Sequence, residues 1–446
     1  MRPQAVNIVG AGLAGALLAL LLARRRFPVT VYERRADPRH SRADAGRSIN
    51  LALAARGILA LERAGVMSAV RPLLIPMRGR MVHEPVGGSA LQPYGQRADE
   101  VIYSVGRAAL NRLLIEELAR HPDVSLRFEH ACTAVRLSED LLELDDAAHE
   151  RIRVVPLAPT IATDGAGSTV RSALARVGTL AVREEPLDHD YKELTVPPAG
   201  GRFALEPHAL HVWPRRGFML IALPNSDASF TATLFLPRTG AVSFAALSSD
   251  AAVRGLFERE FPDALALIPD LLREFREHPQ ARLGTVHVTP WSASGSVLLL
   301  GDAAHAIVPF HGQGMNAAFE DCRVLDELIE RHESWESLFG AFEAERRANA
   351  AAIAQMALEN YAEMRTQVLD ARFLRQRALS LELERRFPER FIPRYSMVMF
   401  HPEIPYAEAL RRGAVQQQIL DLLEARAGAR GAHDPELARA LIVERL

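Results

Sequence analysis

This sequence has few lysines and cysteines and almost no net charge. Lys192 is the single lysine among 446 residues, two residues are cysteine, and 53 basic residues balance 55 acidic ones. A formal charge of −2 lacks the basic excess that is typical of nucleic-acid-binding proteins. Cys132 and Cys322 are too few for a disulfide framework or a cysteine-rich zinc site, which favours a reducing, intracellular setting. The 48% hydrophobic content predicts a large core, and the length predicts two or three domains.

Long apolar runs are scarce too. The longest, residues 8–23, is shorter than the roughly 20 residues that a membrane span requires. Its basic cluster, Arg24–Arg26, follows the run, whereas a signal peptide carries its basic residues in front. The C-terminal stretch ELARALIVERL is charged throughout. We therefore expect a soluble, cytoplasmic protein that has no membrane partner.

A glycine motif opens the chain. A short apolar β-rich segment leads into Gly10-Ala-Gly-Leu-Ala-Gly15, then a helical stretch, then a second strand that ends at Glu33. Gly10 permits the tight turn, Gly12 lets the backbone approach a pyrophosphate, and Gly15 lets helix and strand pack closely. Glu33 follows at close to the roughly 20 residues expected for an acid on a ribose hydroxyl. This pattern predicts dinucleotide binding without choosing between NAD and FAD; a Gly-rich turn in a buried helix is the alternative, and it leaves Glu33 unexplained.

Two later strands end in glycine and aspartate. The first, near Thr160, ends in Asp164-Gly165 and precedes a helix that begins near Ser168. The second, residues 297–300, ends in Gly301-Asp302. A carboxylate at a strand end can accept a hydrogen bond from a ribityl or ribose hydroxyl, and this second site favours FAD.

A glycine-rich loop, residues 312–316, follows the second aspartate and opens another helix. Its Gly314, Met315 and Asn316 amides could face the O2/N1 edge of an isoalloxazine, where negative charge gathers on reduction. A metal pair of Asp302 and His305 is the alternative, but no further ligand cluster completes it. For His311, a local packing role is as well supported as a catalytic one.

Between these sites lie short β-rich runs at residues 210–214, 218–223 and 230–236, separated by turn residues. They predict an antiparallel sheet. Residues 334–446 are rich in Arg, Glu, Ala and Leu with helical periodicity.

The three motifs, in this order, resemble the FAD-dependent aromatic hydroxylases of the para-hydroxybenzoate hydroxylase fold. Further stretches resemble, within that family, the enzymes that hydroxylate L-kynurenine. They are spread across nearly the whole chain: Arg47–Leu53, Met77–His83, Pro93–Gly95, Tyr191–Leu194, Val308–Asn316, Glu359–Arg365 and Tyr395–Val398.

The resemblance implies an α/β fold: a Rossmann-like FAD-binding domain, an interleaved antiparallel β-sheet substrate domain and a C-terminal helical region. The implied boundaries are 1–75, 100–178 and 285–335 for the FAD-binding domain, 76–99 and 179–284 for the substrate domain, and 336–446 for the helical region. Mitochondrial relatives extend the last region into a membrane anchor. This sequence departs from that pattern, because no apolar span precedes Leu446.

The resemblance also implies the residues that bind substrate. Arg80 matches the position that binds the carboxylate of the amino acid, with Tyr94 as a second donor. Asn360 and Tyr395 match the remaining polar contacts, and Phe310 matches the apolar lining near the ring. Without the resemblance, Arg80 would be read as an ordinary surface charge.

A larger set of residues is expected to bind the cofactor: Gly10, Gly12, Leu13, Gly15, Glu33, Arg34, Ala52, Arg107, Asp164, Asp302, Gly314, Met315 and Asn316. Arg107 could equally be a surface residue at the start of a helix. Lys192 is the one lysine in a chain whose other basic residues are arginine, which suggests that a compact ammonium is needed at this position. The alternative is that the lysine has no specific function there.

By the resemblance, NADPH reduces the bound FAD, and the reduced flavin reacts with O2 to form a C4a-hydroperoxide that hydroxylates L-kynurenine to 3-hydroxy-L-kynurenine. The flavin carries the chemistry, so no catalytic side chain and no metal are expected. The second GxGxxG that a separate NADPH domain would show is missing, in keeping with a transiently bound co-substrate. The sequence does not decide whether the protein forms a homodimer. The alternatives are a related hydroxylase acting on another ring, a flavin-free NAD-dependent dehydrogenase, and a non-catalytic nucleotide-binding module.

Overall fold

Helices and strands interleave along the chain in this computed structural model, which describes residues 2–40, 50–85, 87–367, 370–427 and 434–446. Residues 47–49 of the family-like stretch Arg47–Leu53 lie outside the described residues. The helices are α1 (Leu13–Arg24), α2 (Ala55–Arg63), α3 (Met67–Val70), α4 (Arg107–Leu118), α5 (Thr169–Arg176), α6 (Asp250–Glu260), α7 (Pro262–Leu265), α8 (Leu271–Glu277), α9 (Asp302–His305), α10 (Gly314–Ile329), α11 (Trp335–Ala362), α12 (Ala371–Arg386), α13 (Arg394–Phe400), α14 (Tyr406–Ala427) and α15 (Pro435–Arg445).

The strands follow the same chain-order numbering. They are β1 (Val6–Val9), β2 (Val29–Tyr32), β3 (Asn50–Leu53), β4 (Ile75–Met77), β5 (Gly79–His83), β6 (Ser89–Pro93), β7 (Ile102–Gly106), β8 (Val124–Arg127), β9 (His130–Arg136), β10 (Leu141–Asp146), β11 (Arg151–Pro156), β12 (Thr160–Ala162), β13 (Ala181–Val196), β14 (Leu210–Arg215), β15 (Phe218–Pro224), β16 (Phe230–Pro237), β17 (Ala281–Thr289), β18 (Ser292–Ala293) and β19 (Val297–Leu299).

The chain forms two compact units, each built from three segments. The first unit comprises Met1–Ile75, Ser104–Asp188 and Arg282–Ala350, and the second comprises Pro76–Tyr103, His189–Ala281 and Ala351–Leu446. The three-part division implied by the resemblance stays a prediction.

The first unit is built on a six-stranded sheet in the order β18-β19-β12-β1-β2-β8. All its pairs are parallel except β18 with β19. A parallel sheet is normally covered on both faces, and the four residues of β1 are all buried. The apolar run that continues into α1 is explained in the same way, since ten of its helical residues are buried. The run is therefore part of the core.

The carboxyl ends of β1, β12 and β19 lie side by side at one edge of this sheet, because the three strands are adjacent and parallel. Gly10 follows β1, Asp164 lies two residues after β12, and Asp302 follows β19 after a two-residue turn. In open parallel sheets, ligands bind outside the carboxyl ends of the strands. The three sequence motifs therefore meet at one edge.

The second unit contains neighbouring strands in the order β13-β16-β15-β14-β5-β6. The three β-rich runs predicted as strands are confirmed as β14, β15 and β16, and they pair antiparallel. One pair departs from the expected antiparallel sheet: β5 runs parallel to β14, with Arg80 opposite Leu210. The reason is topological, because β5 comes from a much earlier segment of the chain and no hairpin joins it to β14.

The apolar interior of the second unit lies on the sheet and under the helices that follow it. Trp213, Phe230 and Phe257 are among its fully buried side chains. A separate cluster that includes Leu383 and Ile419 holds the C-terminal helices together, so the helical prediction for this region is confirmed for its described residues.

Lys192 has a structural function in this unit. Its Nζ donates to the carbonyl oxygens of Phe275 at 2.6 Å and His278 at 2.7 Å, where α8 ends. It also lies 4.7 Å from the centre of the Phe275 ring. The last carbonyls of a helix lack partners within the helix, and a compact ammonium with three donors can satisfy two of them. Burial lowers the pKa of Lys192. The sequence-based interpretation that a compact ammonium is needed here agrees with these contacts.

None of the helices within the described ranges is both long enough and apolar enough to cross a membrane.

Candidate functional site

The glycine turn after β1 has the close contacts that its motif predicts. Gly10 has φ of 101°, and a Cβ there would lie 2.7 Å from the carbonyl oxygen of Thr163. A side chain at Gly15 would collide with the Gly10 carbonyl. Gly12 is different, because a Cβ there would meet nothing within 4 Å. The backbone at Gly12 is thus open to a ligand while its neighbours are packed, as a pyrophosphate-binding turn requires.

Glu33 is held against this turn. Its two carboxylate oxygens accept hydrogen bonds from the backbone N–H groups of Ala11 at 2.8 Å and Arg35 at 3.0 Å. Asn111 of α4 donates to the Ala11 carbonyl at 2.9 Å. Sequence reasoning missed Asn111, although it lies one helical turn after Arg107, the first residue of α4. The turn is therefore fixed by an acid and an amide that come from two other parts of the chain.

Asp164 is engaged as a helix cap. Its Oδ2 accepts from the backbone N–H groups of Thr169 at 2.8 Å and Val170 at 3.3 Å, and Ser168 accepts from Arg171 at 3.0 Å. Burial raises the pKa of Asp164, against the opposing effect of these hydrogen bonds. The side chain positions α5 at the sheet edge, and its predicted contact with a cofactor stays a prediction.

Asp302 is in a different situation. In the described part of the chain its carboxylate accepts no hydrogen bond. Burial raises its pKa, while the electrostatic interactions with His305 and Arg107 act in the opposite direction. Asp302 is half-buried. A partly desolvated carboxylate without hydrogen bonds is costly, and a ligand hydroxyl would satisfy it. Arg107 itself is exposed at the start of α4.

The Asn316 side chain joins two loops of the first unit. Its Oδ1 accepts from the backbone N–H of Ala54 at 2.9 Å, and its Nδ2 donates to the carbonyls of Ala52 and Gly312, both at 2.8 Å. Gly312 has φ of 66°, and a Cβ there would lie 3.0 Å from the Cβ of Ala52. Because its amide side chain is occupied, Asn316 can face a cofactor only through its backbone, at the start of α10.

A buried ionic cluster next to the start of α10 was not predicted from the sequence. Glu320 accepts from Arg56 at 2.7 Å and from Arg346 at 2.6 Å. The same arginine donates to Asp321 at 2.7 Å, and Asp321 also pairs with His305 at 2.7 Å. Burial alone would raise the pKa of Glu320, but the two arginines hold it below its usual range. The cluster connects α2, α10 and α11 to α9, the short helix that carries Asp302.

In the second unit, four of the predicted substrate residues meet. Arg80 donates from Nη2 to Asn360 Oδ1 at 3.3 Å, and its guanidinium lies 5.1 Å from the ring centre of Tyr395 and 6.0 Å from that of Tyr94. The two tyrosine rings are stacked at 5.4 Å. A fifth residue, Glu363, was not predicted, and it accepts from Arg80 Nη1 at 3.0 Å.

Burial shapes the electrostatics of this cluster. It raises the pKa of Tyr395 to about 12 and that of Tyr94 well above its ordinary value, so both phenols stay protonated at neutral pH. Burial alone would lower the pKa of Arg80, but the charge and hydrogen bond of Glu363, together with Tyr395 and Tyr94, outweigh it, and the net shift is upward. Arg377 lies close by, where burial and the charge of Arg80 lower its pKa. It donates to Gln92 at 3.0 Å. Sequence reasoning missed both Glu363 and Arg377.

The other predicted residues lie in the first unit. Phe310 and His311 are buried in the turn Pro309–His311 that precedes α10, Leu13 is buried at the start of α1, and Arg34 is exposed. Within the described ranges, no group of His, Cys, Asp or Glu side chains could hold a metal ion.

Comparison with known proteins agrees with this geometry. The family model described as FAD binding domain matches residues 4–357. The kynurenine 3-monooxygenase of Xanthomonas euvesicatoria pv. vesicatoria is 49% identical over 421 residues, which cover 94% of this chain and 92% of that protein. The kynurenine 3-monooxygenase of Stenotrophomonas maltophilia is 48% identical over 418 residues, covering 94% and 91%.

Solved structures show the same fold at low sequence identity. The oxygenase of 2-methyl-3-hydroxypyridine-5-carboxylic acid has a TM-score of 0.65 at 18% identity, covering 82% of this chain and 94% of that chain. The p-nitrophenol 4-monooxygenase PnpA from Pseudomonas putida has a TM-score of 0.65 at 18% identity, covering 96% and 100%.

These matches make the chain an FAD-dependent monooxygenase with the predicted α/β fold class. It belongs to the kynurenine 3-monooxygenase family, and the resemblance found in its sequence is thereby confirmed.

Proposed function

We propose that this protein hydroxylates L-kynurenine to 3-hydroxy-L-kynurenine with NADPH and O2. The observation that carries the proposal is the buried Arg80, flanked by Asn360, Tyr94 and Tyr395 in one cluster. A cation with forked donors in an aromatic, water-poor setting suits the carboxylate of an amino acid. The names of the relatives, whose length this chain covers almost completely, supply the identity of the amino acid.

In this proposal Arg80 binds the carboxylate and Tyr94 donates to it through its protonated phenol. Asn360 and Tyr395 fix the rest of the amino acid end, and Phe310 contributes apolar surface near the ring. Held at one end by its amino acid group, the substrate presents its ring in one orientation, which is the largest contribution that positioning can make to such a reaction. The ring amino group supplies electron density to the carbon that is hydroxylated, so no strong protein base is required.

The features at the sheet edge of the first unit fit FAD. The space next to Gly12 is open, α10 begins without a side-chain cap on its first N–H groups, and Asp302 is a carboxylate that lacks hydrogen bonds among the described residues. The residues proposed to hold FAD are Gly10, Gly12, Leu13, Gly15, Glu33, Arg34, Ala52, Arg107, Asp164, Asp302, Gly314, Met315 and Asn316.

Bound FAD would supply the chemistry that takes two electrons from NADPH and activates O2. One oxygen atom enters the ring and the other leaves as water, while NADPH becomes NADP⁺. The chain's own contribution is to bind and orient the ring and to exclude water, because water favours loss of the activated oxygen as H2O2. NADPH is proposed to bind transiently, as a co-substrate.

The test is product identification. The purified protein, incubated with NADPH, air and L-kynurenine, is expected to yield 3-hydroxy-L-kynurenine by mass spectrometry, with one NADPH consumed per product. If NADPH oxidation instead responds to a simple hydroxybenzoate and not to L-kynurenine, the protein is a hydroxylase of another ring and the proposed substrate is wrong.

The cofactor assignment gives a separate prediction at Asp302. Replacing it with asparagine should weaken FAD retention by about tenfold or more, the value of one charge-assisted hydrogen bond. The apo form should be no less stable, since burial already disfavours the charge at this position. FAD content after gel filtration measures the first effect, and the melting temperature of the apo protein measures the second. The control is Asp123→Asn, a partly exposed acid of the same unit that pairs with Arg26 at 3.5 Å. Full flavin retention in Asp302→Asn would rule out its assigned role.

A further inference from the structure

A cavity in the first unit is lined by strands of two sheets. Its volume is about 160 Å³, well above the roughly 10–15 Å³ that one water needs. The polar part of the lining comes from Thr30 and Tyr32 of β2, Arg127 of β8, His130 of β9 and Arg153 of β11. None of these residues is among those proposed to hold FAD, so the cavity has no role yet in the proposed reaction.

Strand register brings two cations near the phenol of Tyr32. Arg127 lies opposite Tyr32 in the pairing of β2 with β8, so both side chains are on the same face of that sheet. Arg153 reaches the cavity from the other sheet, where it is paired with Leu144 of β10. Burial raises the pKa of Tyr32, and the charges of Arg127 and Arg153 act against that rise. The phenol therefore stays protonated at neutral pH and offers a hydrogen-bond donor near both guanidinium groups.

His130 brings an unsatisfied nitrogen to the cavity. Its side chain is only 9% exposed. Its Nδ1 lies 2.7 Å from the carbonyl oxygen of Phe128 and must donate to it, because a carbonyl only accepts. Its Nε2 is buried and has no hydrogen-bond partner among the described residues, since Asp146 Oδ2 is 3.7 Å away. A buried polar atom of this kind is costly unless a ligand or an ordered water satisfies it.

The charges around the cavity are unbalanced. Asp146 is the acid beside it, and its buried carboxylate already lies 2.8 Å from His149 Nδ1, 3.4 Å from Arg151 Nε and 3.9 Å from Arg153 Nη1. Arg127 has no ion pair in the part of the chain that the structure describes. Three arginines therefore surround one aspartate, and the cavity carries a net positive charge that suits an anion.

We infer that this cavity is a binding site for a phosphate group, held by the guanidinium groups of Arg127 and Arg153, the Tyr32 hydroxyl and His130 Nε2. The planar fork of arginine matches phosphate oxygens in pairs. A phosphate monoester carries a charge of roughly −1.5 to −2 at pH 7, because its second ionisation falls near pH 6. One proton then lies between Nε2 and a phosphate oxygen, whether it belongs formally to the imidazole or to the phosphate. The buried nitrogen is satisfied in both cases.

Two molecules can supply this group. One is orthophosphate, and the other is NADPH, whose 2′-phosphate distinguishes it from NADH. An arginine accommodates the 2′-phosphate in dinucleotide-binding proteins of the Rossmann type. The NADPH source rests on the proposed function, in which NADPH is the co-substrate, whereas the orthophosphate source does not. Binding of orthophosphate and discrimination between NADPH and NADH are separate measurements, so the two sources can be told apart.

The test compares Arg127→Met with the wild-type holoenzyme. Arg127 is exposed and, within the described ranges, has no ion pair, so methionine should leave the fold intact. The matched control is Arg120→Met, which removes an exposed arginine of the same unit that pairs with Glu117 at 2.6 Å. Tyr32→Phe is a second variant, since it keeps the ring and removes only the hydroxyl. Melting temperatures are measured against orthophosphate at an ionic strength held constant with chloride, and KM is measured for NADPH and for NADH.

Orthophosphate should raise the melting temperature of the wild type in a saturable way. The half-saturating concentration should rise by about tenfold or more in Arg127→Met and by a smaller factor in Tyr32→Phe, with no change in Arg120→Met. If NADPH is the source, Arg127→Met should also raise the KM for NADPH by about tenfold and leave the KM for NADH unchanged. If orthophosphate is the source, both KM values stay as in the wild type.

If Arg127→Met behaves like Arg120→Met in the melting and the kinetic measurements alike, the cavity binds no phosphate group and the inference is wrong. A wild-type enzyme that oxidises neither nucleotide in the presence of L-kynurenine would overturn the proposed function instead. The orthophosphate titration would still decide the inference in that case, because it requires no turnover.

Discussion

Replacing Arg80 with methionine should raise the KM for L-kynurenine by about a hundredfold or more, because removing one partner of a buried, hydrogen-bonded charge pair costs roughly 2–5 kcal/mol. Methionine fills much of the same volume but offers no donor to a carboxylate and leaves Glu363 without its cation. The flavin should stay bound, since none of the residues proposed to hold it belongs to the Arg80 cluster. Steady-state NADPH oxidation and product formation measure the first effect, and the absorbance of the purified protein measures the second.

Two further variants separate charge from geometry. Arg80→Lys keeps the positive charge and loses the planar fork, so its KM should lie between those of the wild type and Arg80→Met. Arg78→Met is the matched control, because Arg78 is an exposed arginine two residues earlier in the chain. Equal KM values in Arg80→Met and Arg78→Met would show that the substrate carboxylate binds elsewhere.

The sheet edge of the first unit was predictable because its signals are local. A glycine that must have positive φ, a strand that is buried on both faces and an acid that ends the next strand each leave a mark within a few residues. The observed β1, α1 and β2 follow the predicted order, and Ser168 caps α5 as expected. What the sequence could not show is that the Asn316 side chain also bonds to Ala52 and Ala54, since these two partners come from a distant segment.

Ion pairs between residues far apart in sequence could not be predicted, for the same reason. Arg56 and Glu320 are 264 residues apart, and Arg80 and Glu363 are 283 apart. Periodicity indicates which helix face is buried, but it cannot indicate which distant charge lies opposite. The family resemblance supplied Arg80 and Asn360, yet it did not supply Glu363, three residues further along the same stretch. Burial together with pairing distinguishes these arginines from exposed, paired ones such as Arg372.

Replacing Glu320 with alanine should destabilise the protein by about 3–5 kcal/mol, the cost of leaving a buried charge without its partner. The loss affects two cations, because Arg56 and Arg346 both donate to this carboxylate. The side chains of Glu320 and Arg346 are each 4% exposed, so water cannot replace the lost contacts. The melting temperature of the purified protein should fall, and FAD should be retained less well, because the cluster also holds α9.

The pH dependence of that difference distinguishes a charge effect from a packing effect. The folded protein holds the pKa of Glu320 below its unfolded value, so the stabilisation is complete above the ordinary glutamate pKa of about 4.3 and is lost as the pH falls through the folded value. The melting temperatures of wild type and Glu320→Ala should therefore differ most near neutral pH and converge in acid. Glu327→Gln, a half-buried acid of the same helix that pairs with Arg323 at 2.8 Å, should change stability by no more than about 1 kcal/mol. A pH-independent difference would mean that Glu320 contributes through its volume, and that the two arginines find other partners when its charge is removed.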